Sequence, residues 1–272
     1  MRRITADELV MVQDPSAVPK DKRLSNASLL ILVGLTGAGK STTVERLTND
    51  LPVAALLPDR RSVTDELILP MMTGNRSPVS DRVERFRLTA AFKERHPGGM
   101  GDVLRWLTLP AVLPSGAILF DGLRGEAEVT SALALPAARF LVLECAPEER
   151  LWRLCGRNDP FDGTHGRETA ATGEGAESIR AGLVEQKFDS LVSGDVLDRL
   201  TRSLADLNID PAVVSRGAAI IVEESRHYDP DAATAALRRL APNRTLVVDT
   251  AATRPADVAA AVAAKWPDLM DV

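Results

Sequence analysis

The run Gly34-Leu35-Thr36-Gly37-Ala38-Gly39-Lys40-Ser41 sets glycines, a lysine and a hydroxyl at the spacing G-x-x-x-x-G-K-[ST]. Glycines let a backbone fold tightly around phosphate oxygens and turn successive N–H groups inward. A helix opening just after such a loop adds the positive end of its dipole. Lys40 is then placed to reach the β- and γ-phosphates of a nucleotide and Ser41 to ligate Mg²⁺. Thr36, Ala38 and Thr42 line the same cradle, so a nucleotide and Mg²⁺ are the expected ligands, with no residue choosing adenine over guanine.

Asp121 is the second candidate. It closes the apolar run Ile118-Leu119-Phe120, at a strand end where open α/β sheets place ligand groups. A carboxylate there can ligate Mg²⁺ through its water shell or accept a proton from an attacking hydroxyl. It could equally cap the next turn. Gly122 permits close approach of a substrate, and Arg124 supplies positive charge beside a transferred phosphoryl group.

Arginines make up the rest. Arg150, Arg153 and Arg157 are three and four apart and share one helix face. Arg153 and Arg157 are expected to clamp phosphoryl oxygens with planar guanidiniums. Arg150 is expected over one face of the nucleotide base, with the loop at Thr250 lining it. A solvated helix face is the competing explanation. Asp59-Arg60-Arg61 follows the second expected strand; the arginines suit an anionic acceptor and Asp59 can orient a hydroxyl. Arg82 and Arg85 extend that basic character, although salt bridges to Asp81 and Glu84 account for them as well.

The elements that must position these residues follow from hydrophobic patterning. Apolar runs at 29–33, 53–57, 117–120, 139–143, 218–222 and 245–248 read as strands, with helices between them. That alternation predicts an α/β fold: a parallel sheet sandwiched by helices, with a lid and a helical insertion. Residues 1–28 read as an N-terminal extension with a short helix near 5–11, and 29–272 as the main domain. Within it, 59–110 is the expected acceptor-binding segment, 156–175 the glycine-rich lid and 176–217 the helical insertion.

Composition narrows the partners. With 33 basic against 38 acidic residues, the net charge of -5 disfavours a nucleic-acid partner. One tyrosine and six phenylalanines leave few stacking platforms for single strands. No apolar stretch is long enough to span a membrane. The first residues meet acids before any apolar core develops, so no secretory signal is expected. Cys145 and Cys155 have no pairing pattern, which suits reduced thiols in the cytoplasm. The histidines are isolated in sequence, so no zinc site is expected. A small-molecule acceptor fits best, and a homodimer stays open.

Together, Gly37 to Thr42, Ile118 to Arg124, the 141–157 segment with Pro147, Arg150, Arg153 and Arg157, and Val247 to Thr250 resemble the nucleoside and nucleotide kinase group of P-loop proteins. That group includes adenylate, thymidylate and shikimate kinases. The resemblance implies a P-loop NTPase-type fold and phosphoryl transfer from ATP-Mg²⁺ to a small acceptor, anionic or nucleoside-like. Two departures stand out: about 80 residues separate Lys40 from Asp121, and residues 176–240 add a helical segment and an extra strand-helix unit; Leu123 also precedes Arg124 where the group commonly has proline. A regulatory NTPase or nucleotide-sensing module, or a polynucleotide 5′-hydroxyl kinase, would use similar parts.

Overall fold

The computed structural model describes residues 1–109, 116–156 and 174–269. In chain order the strands are β1 (Arg2–Arg3), β2 (Val10–Met11), β3 (Leu29–Val33), β4 (Val53–Leu56), β5 (Leu107–Thr108), β6 (Ala117–Leu123), β7 (Arg139–Glu144) and β8 (Thr245–Asp249). Six form one parallel sheet in the order β1-β4-β6-β3-β7-β8, while β2 and β5 make a small antiparallel pair.

All five residues of β3 are buried, as a central strand covered on both faces requires. Alternation along it feeds two cores. Leu29, Ile31 and Val33 join Phe120 and Phe140 on one face; Leu30 and Leu32 join Leu119 and Leu141 on the other. The second face is covered by Leu47 of α1 (Lys40–Asp50) and by a C-terminal helix described below.

After β4 the chain enters one continuous helical run: α2 (Arg60–Val63), a wider π-type segment (Thr64–Ile68) and α3 (Leu69–Thr73). Pro70 explains the widening. It has no N–H to return to the carbonyl of Glu66, and its ring crowds that turn. Then come α4 (Arg82–Arg95), α5 (Gly99–Trp106) and α6 (Glu126–Ala132); Met100, Val103, Leu104, Val129 and Ala132 of the last two cover the first face of the sheet.

From β7 the chain passes through α7 (Pro147–Cys155) into α8 (Glu174–Glu185), α9 (Gly194–Asp206) and α10 (Pro211–His227). These four helices share a third core of their own, built on Leu151, Leu154, Leu183, Phe188, Leu204, Val213 and Ile221. The chain returns through α11 (Pro230–Leu240) to β8, and α12 (Pro255–Lys265) packs Val258 and Val262 over the second face.

Two expectations are corrected. Residues 218–222 are not a strand: they lie inside α10, where buried Val213, Val214, Gly217, Ala218, Ile221 and Val222 recur at helical spacing. Asp210 caps that helix and Pro211 opens it, so the β-branched run is the core stripe of a helix. In place of a helix, residues 5–11 hold the single 3₁₀ turn Ala6–Glu8 and then β2. The N-terminal stretch reaches the sheet, where Arg2 and Arg3 pair with Ala55 and Leu56 along its edge. Residues 157–173, most of the expected lid, lie outside the described residues, as does Arg157. Among the described residues no helix is long and apolar enough to cross a membrane.

Candidate functional site

The crevice follows from the strand order. From β3 the chain moves to β4 and β6 on one side of the sheet, then crosses to β7 and β8 on the other. Neighbouring connections therefore diverge at the C-terminal end of β3, where the 34–41 loop lies. Gly37 and Gly39 both adopt φ of 84°, a left-handed conformation that favours glycine. A Cβ on Gly37 would also lie 2.9 Å from the backbone oxygen of Arg150. Gly39 brings no capping side chain to α1, so the first-turn N–H groups of that helix are left for another acceptor.

Lys40 is half-buried and donates to the Leu35 carbonyl at 2.9 Å. Burial pushes its ammonium down to about 8, partly offset by the negative charge of Asp121 and Glu224. β6 continues through Asp121 to Leu123, and its register with β3 slips at Gly122: Leu32 pairs with Asp121 but Val33 with Leu123. Such a bulge re-aims neighbouring side chains at a sheet rim. Ser41, Asp121 and Asp59 line one cleft of about 890 Å³, whose far wall is the N-terminal stretch with Arg3 and Asp7.

A collar of side chains holds the loop from behind. Arg153 of α7 donates to the Thr250 hydroxyl at 2.9 Å and to its carbonyl at 2.7 Å. The Thr250 hydroxyl bonds the Ala38 carbonyl at 3.1 Å. Arg150 is buried; its Nε donates to the Thr36 carbonyl at 2.7 Å, and it forms an ion pair with Glu224. Glu224 on α10 also accepts from the Thr36 hydroxyl at 2.6 Å, the Thr36 N–H at 3.0 Å and Arg124 at 2.7 Å. A buried carboxylate with two guanidiniums and two loop donors thus ties the helical block to the glycine loop.

The acceptor-side arginines divide. Arg60 is committed to structure: it donates to both oxygens of buried Glu128, to the Gly122 carbonyl at 2.7 Å and to the Tyr228 hydroxyl at 2.9 Å. Burial alone would lower its guanidinium, but the Glu128 carboxylate prevails and raises it. Among the described residues the Tyr228 ring carries three cations, with Lys93 at 4.8 Å, Arg60 at 5.6 Å and Arg124 at 5.8 Å from its centroid. Arg61 and Arg85 both pair with Asp65. Asp59 caps α2 through the Ser62 N–H at 2.7 Å.

The structure thus groups Gly34, Thr36, Gly37, Ala38, Gly39, Lys40, Ser41, Asp121, Arg124, Arg150, Arg153 and Thr250 in and around the glycine loop, and of these Ser41 and Asp121 line the cleft. Two expected roles change. Arg150 is enclosed between Glu224 and the loop carbonyl, which leaves it no open face for a base. Arg60 is enclosed by Glu128 and Tyr228, which leaves it no free donor fork for an acceptor. The side chain of Arg82 is outside the description. Sequence reasoning missed Glu224, Glu128, Tyr228 and the N-terminal wall. Glu224 had a signal: it continues the buried stripe of α10 three residues beyond Ile221.

No family model matches this chain, and no curated protein is similar to it. Among solved structures, an unliganded sugar kinase from Janibacter sp. HTCC2649 is 18% identical over 69% of this chain and 98% of its own, with a TM-score of 0.26. That likeness is too slight to bear on function.

Proposed function

We propose that the chain is an ATP- and Mg²⁺-dependent phosphotransferase acting on a small acceptor, with a P-loop NTPase-type core. The observation that carries this reading is the 34–41 loop. Its left-handed glycines and its lysine lead into the uncapped start of α1, where Ser41 lines a cleft with the strand-end carboxylate Asp121, whose charge also reaches Lys40.

The loop's backbone N–H groups and the start of α1 would hold the phosphates. Lys40 would leave the Leu35 carbonyl for the β- and γ-phosphates, and Arg124 would turn from Glu224 to the transferred group. Ser41 and Asp121 supply hard oxygen donors on one cleft wall, which fits Mg²⁺. That ion, when bound, neutralises charge on the β- and γ-phosphates. The acceptor oxygen bonds to the γ-phosphorus as the bridging P–O bond breaks, ADP departs with the electron pair, and Asp121 takes the hydroxyl proton. Asp59, on the same wall, orients that hydroxyl. Arg150, Arg153, Thr250 and Glu224 fix the loop, so that catalysis consists of placement and preset charge.

The test is a metabolite mixture incubated with Mg²⁺ and ATP, read by mass spectrometry. A product heavier by one phosphoryl group, lost in Lys40→Ala, is expected. ADP formed from water alone would instead identify an NTPase.

A further inference from the structure

A second cavity of about 970 Å³ adjoins the Ser41–Asp121 cleft, and the two share Ala6, Asp7 and Glu66 as a common wall. Its polarity is graded. The shared wall carries Asp7 and Glu66, whereas Arg61, Asp65, Arg76, Arg85 and Arg216 belong to the second cavity alone, with Leu67, Pro70 and Ile220 in its apolar lining. Arg85 is neutralised by Asp65. Arg76 and Arg216 are exposed and meet no carboxylate among the described residues. Two unspent guanidiniums beside an apolar wall make a site for an anion carried on a hydrocarbon body.

The helix α10 gives the distance. Arg216, Ile220 and Glu224 are four apart in succession and so lie on one stripe of it. Glu224 touches Thr36 of the glycine loop, and Arg216 lies eight residues away along the axis, about 12 Å at the helical rise.

We propose that the acceptor is an extended organic anion. Its hydroxyl end lies at the Asp121 cleft, its apolar middle on Leu67 and Ile220, and its carboxylate or phosphate between Arg76 and Arg216 in the adjoining cavity. The acidic shared wall, Asp7 and Glu66, keeps the anionic end away from the hydroxyl position. This rests on the phosphotransferase reading, with which it shares the cleft.

The test uses calorimetric titration of the full chain with ω-hydroxydecanoate, ω-hydroxybutyrate and decanediol, each with and without Mg²⁺ and ATP. The long hydroxy acid is expected to bind at least about tenfold more tightly than either the diol, which lacks the anion, or the short acid, which cannot span the distance; one lost charge-assisted hydrogen bond is worth that factor. Arg216→Glu and Arg76→Gln should each remove that advantage; Arg76, on an exposed stretch, serves if Arg216→Glu fails to fold. Decanediol monophosphate in place of the hydroxy acid tells phosphate from carboxylate preference. Equal binding of acid and diol, no binding of the acid by the natural chain, or full retention of the advantage in both folded variants overturns the proposal. ATP titrated into the natural chain and Lys40→Ala reports separately on the glycine loop, so failure there is distinguishable from failure of the acceptor site.

Discussion

Glu224 accepts hydrogen bonds from both the N–H and the hydroxyl of Thr36, joining residues 188 positions apart in the chain. The third residue of the glycine loop is therefore held by the last turn of α10, not only by its own strand. The same carboxylate balances Arg150 and Arg124.

Glu224→Ala removes the partner of a buried guanidinium and two loop contacts. Breaking a buried ion pair from one side costs about 3–5 kcal/mol. The expected outcome is a clear fall in Tm together with faster hydrogen exchange at the Thr36 amide. Glu224→Gln, which keeps an acceptor for the Thr36 donors, should lose less loop protection. An unchanged Tm and unchanged exchange in the alanine variant would remove the tie from the account.

Gly37 and Gly39 share one backbone conformation but not one environment. A Cβ at Gly37 would meet the backbone oxygen of Arg150 at 2.9 Å, whereas at Gly39 it would meet Arg153 Nη1 at 3.2 Å, the tip of a flexible side chain. Both substitutions to alanine are strained, and Gly37→Ala should be the worse. Nucleotide titration checks the order: weaker binding in both, with the larger loss at Gly37. A larger loss at Gly39 would contradict the packing described.

The central part of the fold was legible because its signals are local. The apolar run before Gly34, the proline and aspartate starts of helices and the returning strand at 245 each act within a few residues. The strand expected at 218–222 failed because five apolar residues are too short a window to separate a strand from a buried helix, whereas the stripe from Val213 to Val222 decides it. The partners of Arg60 and Arg150 were out of reach for another reason. Glu128 and Glu224 lie 68 and 74 residues away from them, and only the packing of α6 and α10 brings them in. Spacing on one helix shows which arginines share a face, but not whether a carboxylate from elsewhere has already claimed them.

Arg60 should behave as a structural residue. Arg60→Ala leaves Glu128 buried without its partner, and a loss of about 3 kcal/mol or more is expected in denaturant unfolding. Glu128→Gln should be costly as well, and the two together less than additive. Normal stability in Arg60→Ala, with a raised KM for an acceptor, would restore the binding role suggested by the sequence.

Lys40 predicts a pH dependence. Its folded value, about 8, lies below the ordinary lysine value of 10.5. The unfolded chain therefore binds the proton more readily between those values, so the burial penalty is fully present below about 8 and is relieved as pH rises toward 10.5. Phosphate binding runs the other way, because it needs the charged ammonium. Affinity for ATP should weaken as pH rises through about 8, and Lys40→Arg, charged throughout, should flatten that profile. A profile equally steep in Lys40→Arg would assign the titration to another group.

The most direct measurement is calorimetric titration of the chain and of Lys40→Ala with ATP, in the presence and absence of Mg²⁺. The account predicts saturable binding to the natural chain that tightens with Mg²⁺. It predicts roughly tenfold or greater weakening in Lys40→Ala, from the loss of charge-assisted hydrogen bonds, with the Tm of the free protein maintained. Absence of ATP binding by the folded natural chain, or equal binding by Lys40→Ala, would contradict it.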